Sequence, residues 1–199
     1  MPKILILFAH PRLEKSRANI SLVRKIPQVP GITFHDLYEV YPDFNIDIEA
    51  EKALLLAHDI IIWHHPIFWY SCPALLKQWI DMVLEFGWAY GPGGNMLAGK
   101  IIFNAITTGG GSEAYSPSGY NRFTITQFLA PFDQTATLCK MIYLPPFLMQ
   151  ATHRLTEQSL VEQTTLYQLL LEKLHDGDFD VQHALELTSL NELPESINQ

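Results

Sequence analysis

The chain has only two cysteines, Cys72 and Cys139, far apart and without a CxxC spacing. That leaves no disulfide framework and no cysteine-based zinc site to staple a fold, and a reducing cytoplasmic compartment is the expectation. No apolar run approaches the roughly 18 residues of a membrane span. Lys3 interrupts the N-terminal stretch where a signal peptide would place its hydrophobic segment. Charge is scarce, at 17% of residues against 48% hydrophobic and 12% aromatic, a balance that excludes disorder and supplies one sizeable core. Positive charge is scarcer still, since 13 Lys and Arg face 21 Asp and Glu for a formal charge of −8. General nucleic-acid binding, which needs a basic patch against phosphates, is excluded. The stretch 175–199 holds Asp176, Asp178, Asp180, Glu186, Glu192 and Glu195 with no Lys or Arg. It reads as an acidic C-terminal tail behind a single domain of residues 1–174.

What is present is alternation. Lys3 to Ala9, Asp59 to Pro66 and Lys100 to Thr108 are short apolar runs rich in β-branched residues. They are too short for helices and read as strands buried on both faces. Further strands are expected around Ile32 to Tyr38 and near Met141 to Met149, the latter despite Pro145 and Pro146. Ser16 opens a helix with Ile20, Val23 and Ile26 on one face, and the acidic start of Asp47 to Ala57 suits the positive end of a helix dipole. Pro73 fits a first helical turn ahead of Leu75, Leu76, Trp79, Ile80 and Val83 at helical spacing. Residues 123–139 form a helix interrupted near Pro131, and Thr156 to Leu174 a last one. Five strands alternating with five helices make an α/β protein with a doubly wound parallel sheet.

In such a sheet ligands bind beyond the carboxyl ends of the strands, so three loops matter. Ala9 to Asn19 carries His10 and ends on Ser16, Arg17, Ala18 and Asn19 at a helix start, where free N–H groups attract an anion. It lacks GxGxxG and the Walker Gly-Lys-Ser/Thr, so a single terminal phosphate fits better than a dinucleotide or a triphosphate. Simple capping by Ser16 and a buried strand-end His10 are the alternatives. His65 to Pro73 presents Phe68, Trp69 and Tyr70, either a flat wall for a planar ring such as a flavin, a cap on the sheet, or a dimer contact. Thr107 to Arg122 opens with Gly109, Gly110 and Gly111, which admit a ring close to the backbone or merely make a flexible turn. Tyr115 follows, a hydrogen-bond donor or a packing residue. His64 and His65 have no partners at metal-ligand spacing, and no metal site is expected.

LFAHP with SRAN, Asp36 to Ile48, His65 to Asp81, Phe86 to Lys100 and TTGGG together resemble the flavodoxin-like NAD(P)H:quinone oxidoreductase family. The likeness is greatest to the ancillary flavoproteins of bacterial glutathione-gated potassium-efflux (Kef) systems, through the segments YPDFNIDI and GWAYGPGGN. The resemblance implies a flavodoxin-like three-layer sandwich with a five-stranded parallel sheet of order 2-1-3-4-5. It also implies two-electron reduction of a quinone by NADPH or NADH, ping-pong through one pocket. The flavin is FMN by the single phosphate site, with FAD as the alternative. Family flavin contacts fall on His10, Ser16, Arg17, Ala18, Asn19, Ile67, Phe68, Trp69, Tyr70, Thr107, Thr108, Gly109 and Gly110. The catalytic tyrosine matches Tyr115, while the family's histidine position holds Asn121, which hydrogen-bonds but cannot take up a proton as imidazole does. A homodimer is implied, to which the aromatics Phe86, Trp88 and Tyr90 would contribute unless they serve the core. So is a cytoplasmic protein held at the inner membrane face by a Kef partner, as an enzyme or as a regulator whose turnover is incidental.

Overall fold

The computed structural model describes residues 1–197, with side chains through Leu193, so Glu195 and the end of the expected tail lie outside the described side chains. Strands Ile4–Phe8 (β1), Ile32–Asp36 (β2), Ile60–Pro66 (β3) and Ile101–Thr107 (β4) are all parallel. The next position in the sheet is filled twice. Ile142–Tyr143 (β5) and Phe147–Met149 (β6) both pair with β4, giving the order β2-β1-β3-β4-β5 with β6 beside β4. The single strand expected near Met141 to Met149 is therefore two, and among the described residues the five strands become six. Pro145 and Pro146 have no N–H to give to a ladder, so pairing stops after Leu144 N–H donates to Ile102 O (2.9 Å) and resumes at Phe147.

Helices cover both faces because side chains alternate along each strand. Leu5 and Leu7 point to a core shared with helices Leu37–Val40 (α2), Ile48–Ala57 (α3), Ala74–Val83 (α4) and Ile125–Leu138 (α5). Ile4 and Ile6 point to the opposite core, closed by Arg17–Arg24 (α1), Glu157–Asp176 (α6) and Val181–Glu186 (α7). Among the described residues seven helices stand where five were expected, the additions being the single turn α2, capped by Asp36, and α7 in the acidic tail. The buried stripe of α1 is Ala18, Leu22 and, just past its end, Ile26, with Ile20 and Val23 only half-buried.

Helix α5 is not interrupted at Pro131. Proline costs one backbone hydrogen bond and crowds the preceding turn. Here Leu129, Phe132 and Ala136 are anchored in the core on either side of it, and the Thr135 hydroxyl donates to Pro131 O at 2.7 Å. The boundary at residue 174 falls inside α6, which runs to Asp176 and stops at Gly177 in the left-handed conformation (φ 74°). Beyond it Ala184, Leu190 and Leu193 join the sheet core. Asn191 behaves as one more strand residue, accepting from Leu148 N–H (2.8 Å) and donating to Leu148 O (3.0 Å) at the open edge of β6.

The two segments that carried the Kef likeness have structural work. In YPDFNIDI, Tyr41 and Ile46 are buried, Asp47 caps α3, and the Tyr41 hydroxyl donates to the buried Glu51 carboxylate at 2.6 Å. In GWAYGPGGN, Ala89 is buried, and Gly91 takes φ 78°, the left-handed region glycine enters without strain, with the Phe86 ring where a Cβ would stand. Phe86 is exposed, whereas Trp88 and Tyr90 lean on the core.

Candidate functional site

The strand order reverses between β1 and β3, and a cleft of about 700 Å³ opens at their carboxyl ends. It is lined by every expected cofactor residue except Trp69, Tyr70 and Gly110. At one end β1 hands over to α1. Ser16 caps that helix, its hydroxyl accepting from Asn19 N–H (3.3 Å), and the first-turn amides of Arg17 and Ala18 lie beyond the reach of helical acceptors. Lys15 and Arg17 add positive charge at the same place. Asn19 is 1% exposed, and its Nδ2 donates to Ser16 Oγ (2.9 Å) and Thr107 Oγ1 (3.0 Å). Its Oδ1 is buried without a partner. Both neighbours are hydroxyls that donate as well as accept, so the amide satisfies them in either orientation and leaves one polar atom for a ligand.

His10 closes the floor. Its Nδ1 accepts from Arg12 N–H (3.1 Å), so the neutral ring carries its proton on Nε2. Burial pulls its pKa below the ordinary value, against the raising pull of Glu14, and keeps it neutral at pH 7.

The loop after β3 is a two-residue hairpin. Phe68 and Ser71 exchange two backbone hydrogen bonds of 3.0 Å, while Trp69 (φ 47°) and Tyr70 (φ 65°) occupy the left-handed region. This is a type I′ turn, usually made with Asn-Gly, and two bulky aromatics there store backbone strain. The consequence is presentation: Phe68 packs edge-on against His10 (5.7 Å), and Trp69 projects from the rim, 94% exposed. Tyr70 turns outward and stacks on Phe128 of α5 at 5.2 Å.

In the loop after β4, Gly109 faces the His153 ring so closely that a Cβ would sit 3.2 Å from it. Tyr115 lies beside Gly110 and meets Phe128 edge-on at 6.0 Å. Burial raises its pKa, the hydrogen bond with Thr108 opposes this, and the charge of Tyr70 adds to it, so the phenol holds its proton at neutral pH. Asn121 is half-buried, its N–H donating to Ala114 O (3.0 Å), and it lies outside the cleft lining, as do Tyr115, Gly110, Trp69 and Tyr70. Phe128 is the residue the sequence reading missed here; it ties the second and third loops together, a role no local pattern announces.

A fourth loop, also missed, completes the wall: Thr152, His153 and Leu155, after β6. Thr152 N–H donates to Thr108 O (3.0 Å) and Ala151 N–H to Gly110 O (2.9 Å), which locks this loop onto the glycines. The rule that ligands sit beyond strand ends predicts it once the last strand is seen to end at Met149. His64 and His65 lie beneath the site, wholly buried. His65 Nδ1 pairs with Pro66 O (2.9 Å) and its Nε2 with Asn104 Nδ2 (2.9 Å), whose Oδ1 accepts from the Tyr143 hydroxyl (2.6 Å). His64 Nδ1 meets the Tyr167 hydroxyl at 3.1 Å. Among the described residues no group of three or more His, Cys, Asp or Glu is placed to hold a metal ion, and no helix is long and apolar enough to cross a membrane.

Known proteins resemble this chain in sequence and in fold. The glutathione-regulated potassium-efflux system ancillary protein KefG of Serratia proteamaculans is 48% identical over 166 residues, 83% of this chain and 91% of that protein. The general stress protein 14 of Treponema denticola, solved in complex with FMN, superposes with a TM-score of 0.82 at 37% identity, over 87% of this chain and 99% of that one. A protein of P. pentosaceus described as an NADPH-quinone reductase has a TM-score of 0.76 at 30% identity, over 93% and 99% of the two chains. With the family of flavodoxin-like fold matching residues 2–170, the strand order, the cleft at its reversal and these relatives agree that this chain belongs to that family.

Proposed function

We propose that the chain is a flavin-dependent NAD(P)H:quinone oxidoreductase that uses FMN and serves as the ancillary protein of a Kef potassium-efflux system. The observation that carries the reading is the cleft, which joins a phosphate-seeking helix start to a glycine-and-aromatic wall. The orphaned polar atom of Asn19 fits a ribityl phosphate, and the cleft between Phe68 and Gly109 fits a flat ring. Bound there, FMN would supply two-electron transfer from a nicotinamide to a quinone. The chain itself grips, shields and polarises. The Arg17 and Ala18 amides and the Arg17 guanidinium hold the phosphate, with Ser16, Asn19 and Thr107 along the ribityl chain. Ile67, Phe68, Thr108, Gly109 and Gly110 flank the ring, and His10 donates from Nε2. Trp69 and Tyr70 exclude water at the rim. Tyr115 donates its hydroxyl proton to the acceptor oxygen as charge develops there, and Asn121 orients the acceptor through its amide. A second copy, contacted through Phe86 and its neighbours, completes a homodimer.

The visible spectrum of the purified protein, recorded before and after anaerobic NADPH and then NADH, tests the reading. Bleaching of a flavin band by one of them, and its return on adding quinone, is expected. A protein that neither contains nor takes up flavin overturns it. The alternative reading, a regulator that docks on a Kef antiporter with incidental turnover, is supported by the ancillary name of the KefG relatives. Co-purification with the antiporter alongside negligible quinone turnover would decide for it. In this reading the protein is cytoplasmic and is held at the inner face of the membrane through its Kef partner.

A further inference from the structure

A second pocket, of about 440 Å³, lies behind the phosphate end of the cleft, between α1 and the start of α6. Its floor is Ile20 and Leu160, and its walls are Glu14, Arg24 and Glu157. An apolar floor with acidic and basic rims suits a purine, its ribose hydroxyls and a further phosphate. The two cavities share only Lys15 and Arg17. Arg17 lines both, its Nη1 donating to Glu157 Oε1 at 2.8 Å and its Nη2 to Leu155 O. One guanidinium thus ties the first turn of α1 to the loop entering α6. A flavin that ends in one phosphate stops short of this brace. A flavin dinucleotide has to pass it.

We propose that the Arg17 brace sets cofactor length: held by Glu157 and Leu155, it admits FMN and bars the adenylate half of FAD from the pocket behind it. The inference rests on the flavin reading above and adds the residue pair that selects between the two flavins. Glu157 is largely exposed and takes no part in holding the phosphate, so its removal loosens the brace without dismantling the site.

Flavin-stripped protein titrated calorimetrically with FMN and with FAD tests this, for wild type, Glu157→Ala and Arg17→Ala. Both ligands carry about two negative charges at their phosphates, so the ratio of their affinities cancels the charge each substitution changes. Wild type should bind FMN at least tenfold more tightly than FAD. Glu157→Ala should narrow that ratio by up to about fivefold, the worth of an exposed ion pair, FAD gaining more affinity than FMN. Arg17→Ala should narrow it further while weakening FMN. Equal wild-type affinities, or a ratio that neither variant moves, overturns the proposal. If wild type binds neither flavin, the flavin reading itself has failed, and the brace proposal falls with it.

Discussion

Asn19 stands where two elements meet, bonded to Ser16 on its own helix and to Thr107 at the end of β4. Its buried amide keeps one atom unpartnered, a cost recovered only when a ligand arrives. Asn19→Ala should weaken FMN binding about tenfold, the scale of one hydrogen bond to a charged or polar ligand, and calorimetric titration reads it directly. Tyr115 calls for a different measurement. Its phenol is kept protonated by burial, so Tyr115→Phe should slow quinone reduction roughly 10- to 1000-fold with flavin binding intact. Stopped-flow traces of the two half-reactions separate that loss from a binding defect, and unchanged rates would make Tyr115 a packing residue. Both residues were visible in the chain as candidates, because hydroxyl and amide groups beside a helix start or a glycine run are chemically suggestive. Their partners were not, since Thr107 and Phe128 approach from elements far away in sequence.

At the scale of elements, turns and edges carry the surprises. The buried runs Ile4–Phe8 and Ile60–Pro66 announce themselves by composition, because a strand covered on both faces must be apolar throughout. The type I′ hairpin at Trp69 and Tyr70 does not, for nothing local favours two aromatics at positive φ; β3 and α4 impose it by fixing where the loop starts and ends. The same holds for Pro131, a helix breaker by propensity that the core overrules. Asn191 shows an edge protected by a side chain, its amide supplying the donor and acceptor that a neighbouring strand would offer to Leu148. Asn191→Ala should destabilise the fold by about 1–3 kcal/mol, the cost of stranding such groups. Urea denaturation gives the total, and hydrogen exchange at the Leu148 amide should accelerate locally. A fully protected Leu148 amide in the variant would show that the tail does not guard this edge.

For the whole molecule, two neutral histidines sealed under the cleft couple folding to pH. Burial lowers the pKa of His64 to about 3, with the charges of His65 and His10 adding to the shift. Burial likewise lowers His65 to about 4, with the bond to Pro66 opposing. Unfolded, each takes a proton near 6.5, so the unfolded chain binds more protons and stability falls as pH drops below 6.5, down to the folded values. At pH 5 the loss is on the order of 2 kcal/mol per histidine. Urea midpoints should therefore decline steadily between pH 7 and pH 5, and His64→Phe should flatten that decline by about half. A flat profile would mean both rings titrate normally. The α/β class, the parallel sheet with its outer helices, and three of the four loops that line the cleft were written in the sequence by itself. Periodicity, length and the placing of glycine and proline are local properties, and a parallel sheet puts its ligand loops at one end. The division of the last strand, the continuity of α5, the anchoring of residues 178–193 on the core and the Arg17 brace were decided only by tertiary structure. Each depends on a partner brought close in space by the packing of two faces of one sheet, and no window of adjacent residues contains that partner.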